Sequence, residues 1–118
     1  MEYLKLCDSD YRFMCVVWEH APVNSGELVK LCEKSLGWKK STTYTTLRKL
    51  CQKGYLKNEN ATVSVLIAKE RVQAEESAYF VERTFEGSLP GFLTAFLGNR
   101  KISEEEAERI KKLIDEHM

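Results

Sequence analysis

Just past Gly54 the spacing of apolar residues changes from about 3.6 to about 2, and that switch narrows the possible folds more than any other feature of the chain. Before it, Thr43, Leu47 and Leu50, with Thr46 beside them, recur at helical spacing. After it, Val63, Val65 and Ile67 alternate as one face of a strand does. Lys53-Gly54-Tyr55-Leu56 is the junction: glycine stops the helix and a β-hairpin follows. A winged helix-turn-helix presents its recognition helix in this way.

The segment ahead of the switch is also chemically marked. No acidic residue lies between Glu33 and Glu59, although the whole chain balances 18 Lys and Arg against 18 Asp and Glu. From Lys39 to Lys57 six cations stand with no acid among them: Lys39, Lys40, Arg48, Lys49, Lys53 and Lys57. They are interleaved with short hydroxyl side chains and with Tyr44. Long cations reach phosphates and short polar groups reach base edges, so double-stranded DNA is the expected partner. The sorting runs along the chain. Ten Lys and Arg face seven Asp and Glu up to Ala68, and eight face eleven from Lys69 onward. A positive first part and a negative second part fit a DNA-reading head joined to an appendage of another kind.

At 118 residues the chain has room for one domain, or for a small domain with an appendage. In the head, Ser9 and Asp10 are placed to cap a first helix that runs through His20 before Pro22, with Met14, Val17 and Trp18 as its apolar stripe. Asn24-Ser25-Gly26-Glu27 opens a second helix bearing Leu28, Leu31 and Cys32, which Leu36 and Gly37 close. Trp38 is expected to plug the space between helices. A third helix over about 39–53 turns Ser41, Thr42, Tyr44, Thr45, Arg48 and Lys49 outward. Tyr55-Leu56-Lys57 then pairs with Thr62-Val63-Ser64-Val65-Leu66-Ile67 across Asn58-Glu59-Asn60-Ala61, a turn-rich link.

The second part reads as helices with short breaks. A helix from Lys69 to Glu86 carries Val72, Tyr79, Phe80, Val81 and Phe85, and Gly87-Ser88-Leu89-Pro90 interrupts it. Phe92, Leu93, Phe96 and Leu97 make a short apolar helix that Gly98-Asn99 stops. Ser103-Glu104-Glu105-Glu106 is a capping box opening the last helix, whose stripe is Ala107, Ile110 and Ile114 with Leu113 alongside. Three such helices bury little by themselves. Phe80, Phe85, Phe92, Phe96 and Leu97, with Ile110 and Ile114, need a partner surface, and a second copy of the chain is the economical one; packing on the head is the alternative. The expected fold is therefore mostly α with a small β-hairpin. A winged helix-turn-helix head over 1–68 precedes a helical dimerisation tail over 69–118.

Other classes are disfavoured by what the chain lacks. Cys7, Cys15, Cys32 and Cys51 have neither metal-ligand spacing nor a histidine at ligand distance, and read as small buried hydrophobes. Redox sensing through Cys7 or Cys51 is the alternative. No cofactor or metal is expected. Met1-Glu2-Tyr3-Leu4-Lys5-Leu6-Cys7-Asp8 lacks the pattern of a signal peptide, and Leu89 to Gly98 is about half the length a bilayer needs, so no membrane partner and a cytoplasmic location are expected. No Ser/His/Asp set, Gly-rich phosphate loop or HExxH motif points to an enzyme; His20 sits at a helix end, and Glu104, Glu105 and Glu106 serve capping.

Taken in order, these residues resemble the penicillinase-repressor (BlaI/MecI/CopY) family. Trp18, Gly37-Trp38, Thr42-Thr43-Tyr44-Thr45 and Lys53-Gly54-Tyr55-Leu56 carry the likeness in the head. Phe85-Glu86-Gly87-Ser88-Leu89, Phe92, Leu93 and Phe96, then Ile102 to Ala107 and Ile110 to Ile114, carry it in the tail. The resemblance implies a bacterial repressor that binds a dyad-symmetric operator as a homodimer. It implies that Ser41, Thr42, Tyr44, Thr45 and Arg48 face the major groove. Lys39, Lys40 and Lys49 would then neutralise phosphates, and Lys57 or Asn60 of the wing would touch the backbone. Members released by a sensor protease carry Asn-Phe in the tail, where this chain has Ala95-Phe96, and copper-responsive members end in Cys-x-Cys pairs, which this tail lacks. Many members begin the recognition helix with Ser-Pro, where this chain has Lys39-Lys40. The resemblance leaves open an unidentified sensor or inducer as a further partner. The competing reading keeps the winged helix as a protein-interaction adaptor without DNA binding.

Overall fold

Capping chemistry sets most of the helix limits. The computed structural model describes residues 5–118; residues 1–4, which begin the predicted head and the stretch read as no signal peptide, lie outside the described residues. The chain runs α1 (Asp8–His20), β1 (Val23–Asn24), α2 (Ser25–Leu36), α3 (Lys40–Gln52), β2 (Leu56–Glu59), β3 (Thr62–Val65), α4 (Lys69–Phe85), α5 (Leu89–Leu97) and α6 (Glu104–Glu116). The Asn24 side chain accepts from the Gly26 amide at 2.8 Å to open α2. Gly37, at φ 70°, closes it, where the left-handed backbone costs a glycine nothing. Ser88 caps α5 and Ser103 caps α6 through the amides of Gly91 and Glu106.

Several limits differ from the sequence expectation. α1 starts at Asp8 with Cys7 in the cap position and no side-chain cap; Asp10 falls inside the helix and its carboxylate is engaged on Lys49. The break before α5 is shorter than Gly87-Ser88-Leu89-Pro90: Leu89 and Pro90 fall inside the helix, where the missing proline amide has no partner to lose. The hairpin turn is also tighter. Asn58 and Glu59 belong to β2, and only Asn60 and Ala61 turn the chain, at φ 50° and 61°. Two successive residues at positive φ match the right-handed twist of the flanking strands.

A third strand joins the hairpin. The sheet order is β1-β3-β2, antiparallel throughout, with Val23 opposite Val63 and Leu56 opposite Val65. The Ser25 amide donates to the Ala61 carbonyl at 2.8 Å and so ties the wing to the start of α2. Val63 is fully buried, whereas Val65 and Ile67 are half-buried and Leu66 is exposed, because β3 ends at Val65 and the alternation ends with it.

The head's core gathers Phe13, Met14 and Val17 from α1, Leu28 and Cys32 from α2, Leu47 and Leu50 from α3, Leu56 and Val63 from the sheet, and Val72 from α4. Trp38 does plug a gap: its ring stacks on Phe13 with centroids 5.8 Å apart and planes 5° from parallel. Trp18 donates its Nε1–H to the Ile67 carbonyl at 3.0 Å, and Gln73 donates to the Tyr11 hydroxyl at 3.2 Å. These contacts bind the segment leading into α4, and its first turns, to α1. The chain accordingly divides into one unit ending at Tyr79 and another over Phe80–Met118, whereas the sequence reading draws its boundary after Ala68, at the start of α4.

The second unit holds the last turn of α4 with α5 and α6. Phe80, Phe85 and Phe92 meet edge to face with centroids 5.5–6.0 Å apart, and Phe96 leans on Phe92 at 5.8 Å. No residue of α5 or α6 is buried.

Phe13→Ala removes the ring beneath Trp38 from a fully buried site and is expected to cost about 3–5 kcal/mol in urea unfolding. Ala61→Gly relieves a left-handed alanine in the wing turn and should raise stability by about 1 kcal/mol in the same assay.

Candidate nucleic-acid interface

The position of every candidate base-reading side chain follows from how α3 is buried. Thr43, Thr46, Leu47 and Leu50 form its inner face, all buried. The helical period then puts Ser41, Thr42, Thr45 and Arg48 on the exposed face, as the sequence predicts. Tyr44 lies half-buried at the edge of that face, with the Lys40 ammonium 6.0 Å from its ring centroid. Lys39 is the cap residue and makes no side-chain cap, and the first turn holds no acid. Unpaired amides at the helix start therefore add to the charge of Lys39 and Lys40.

The cations are not equivalent. Among the described residues, Lys39, Lys40, Arg48 and Lys53 pair with no acid. Lys49 does: its Nζ lies 2.8 Å from Oδ1 of Asp10, a side chain only 5% exposed, while Lys49 itself is 44% exposed. The hydrogen bond to Asp10 holds the Lys49 ammonium above the usual lysine range. Sequence reasoning missed this pairing because the acid sits on α1, far outside the acid-free stretch. The one available signal was an acid on the first turn of a helix, which read as a cap.

In the wing, Lys57 lies 3.2 Å from Glu59, two residues along the same strand face, and both are exposed. Asn60 stands exposed at the turn. The predicted dimerisation residues sit in the second unit. Phe80, Phe85, Phe92 and Phe96 make the ring cluster, Leu97 and Ile110 are half-buried, and Ile114 is exposed.

The remaining chemistry is sparse. The four cysteines are free, and burial pushes the thiols of Cys32 and Cys51 up, away from the reactive thiolate. An open cleft of about 830 Å³ beside the end of α1 mixes Trp18 and Val65 with Glu19, Lys69 and Glu70. Among the described residues no helix is long and apolar enough to cross a membrane.

Comparison with known proteins places this arrangement. The chain matches the family described as Penicillinase repressor over residues 6–116. It is 28% identical over 120 residues to the penicillinase repressor of Bacillus licheniformis, covering 96% of this chain and 91% of that protein. It is 34% identical over 55 residues to an uncharacterized 16.5 kDa protein in the ptsI 3' region of Latilactobacillus sakei, covering 47% of this chain and 38% of that one. The solution structure of the Bacillus licheniformis BlaI monomeric form in complex with the blaP half-operator superposes with a TM-score of 0.51 at 26% identity, over 59% of this chain and 90% of that one. The chain belongs to the penicillinase repressor family, whose members are transcriptional regulators and not enzymes, and its head has the winged-helix fold.

Proposed function

We propose that this family member is a homodimeric repressor that occupies a dyad-symmetric operator in the cytoplasm of a bacterium, each protomer placing α3 in the major groove of one half-site. The observation that carries the reading is the exposed face of α3: Ser41, Thr42, Thr45 and Arg48 stand together with no acid among them, on a helix whose opposite face is locked into the core. Short hydroxyls and one arginine suit base edges, while Lys39 and Lys40 at the helix start suit phosphates. The similar BlaI monomeric form is in complex with a half-operator, which supports the same use of this head. On this reading residues 1–68 read DNA and 69–118 hold the pair together.

Dimerisation finds its support in the tail. Phe96 and Leu113 are each 55% exposed and Ile114 is 49% exposed, on helices that bury nothing within one chain. An apolar surface of this kind calls for a partner, and two-fold pairing of identical patches gives two heads the spacing of two half-sites. Repression then follows from occupancy: a dimer seated on an operator excludes RNA polymerase from the same DNA.

The direct test is fluorescence anisotropy of the full chain on duplex from upstream of its own gene beside a scrambled duplex, across a salt series. Arg48→Ala and Thr42→Ala are each expected to weaken operator binding by about 1–3 kcal/mol while changing scrambled-duplex binding far less; equal losses on both would remove their base-reading role. Phe96→Asp should convert dimer to monomer in sedimentation velocity and abolish tight operator binding, because it sets a charge in the patch that the pair would bury. An unchanged sedimentation coefficient would end the dimerisation reading of α5.

A further inference from the structure

We propose that Asp10 is a positioning residue for DNA reading: it grips Lys49, fixes the rotation of α3, and withdraws that lysine from the phosphate-binding set. The proposal rests on the DNA-reading assignment above and reverses the sequence expectation for Lys49. Asp10 is 3% exposed, on α1, and its carboxylate lies 2.8 Å from the Lys49 ammonium. A carboxylate so far from water cannot give up its counter-charge cheaply, so a swing of Lys49 toward a phosphate would leave a buried anion alone.

The place of the grip gives it leverage. Lys49 lies between Arg48, which is exposed, and Leu50, which is fully buried. It therefore marks the border between the reading face and the core face of α3. Successive residues are about 100° apart around a helix, so a small turn of α3 at this border moves Thr45 and Arg48 off the base edges. Asp10 adds an ion pair to the packing of Thr43, Thr46, Leu47 and Leu50 that already orients the helix.

Withdrawing a cation also serves discrimination. Every free lysine at the interface strengthens binding to any duplex, because phosphates carry no sequence. With Lys49 neutralised, Lys39, Lys40, Arg48 and Lys53 remain free of acids among the described residues, and a smaller share of the affinity is independent of sequence.

The test uses the full chain, a duplex enriched from a randomised pool by the wild-type protein, and a scrambled duplex of the same composition, each titrated over a salt series. Lys49→Gln is expected to keep the wild-type salt slope on both duplexes. Asp10→Asn, which frees the lysine, should steepen the slope on scrambled duplex by about one and lower the ratio of selected to scrambled affinity about tenfold, the order of one lost base contact. Asp10→Glu should restore the ratio, which a general loss of stability would not allow. A slope that falls by about one in Lys49→Gln, or an unchanged ratio in folded Asp10→Asn, overturns the proposal while leaving DNA reading intact. Failure of the wild-type chain to enrich any duplex removes both. Where a single variant does not fold, Asp10→Asn/Lys49→Gln leaves no buried charge unpaired and decides the same question: the wild-type slope supports the proposal, and a slope about one lower overturns it.

Discussion

Which side chains of α3 meet a ligand depends on how that helix is turned about its own axis, and the rest of the head exists to hold that turn. Thr43, Thr46, Leu47 and Leu50 point into a core assembled from α1, α2, the sheet and the first turns of α4. Trp38, stacked on Phe13, fills the corner where α2 hands over to α3, so α3 leaves that corner in one direction. The sheet adds a second constraint from the far end. The Tyr55 amide donates to the Leu50 carbonyl and the Tyr55 carbonyl receives the Leu66 amide, so the end of α3 is stitched to the hairpin that follows it.

Much of this was legible beforehand because it rests on periodicity and local capping. The inner and outer faces of α3, the Asn24 cap, the Gly37 stop and the Ser103 cap all depend on residues within a few positions of one another, and those expectations agree with the structure. What escaped was non-local or too short to show a period. β1 has two residues, and it exists because Val63 offers it a partner. The Asp10–Lys49 pair joins two helices through side chains, which no window along the chain reveals. The hairpin turn fell between the two cases. Its four candidate residues all suit a link between strands, and only the pairing register of Glu59 with Thr62 decides that the bend occupies the last two.

The two units illustrate opposite solutions to the burial of apolar surface. The head closes a core around side chains that are fully enclosed, two of them, Leu56 and Val63, on strands of only four residues. The second unit places five phenylalanine and leucine side chains on α5 and encloses none of them, relying on rings packed edge to face across its turn. Small helices joined by short turns have too little interior to do otherwise. This part of the chain reads as half of a core, and the proposed homodimer would supply the other half from a second protomer.

In the proposed homodimer, a tail that encloses nothing of its own would make the strength of the regulator a function of its abundance. When two protomers must meet before either head gains the second half-site, the concentration of competent species rises with the square of the protomer concentration in the dilute regime. Occupancy would then fall away steeply as the cell grows and dilutes the protein, and recover as steeply on fresh synthesis. In the proposed homodimer the bare faces of α5 and α6 would thus set a dosage threshold, separate from whatever signal relieves repression.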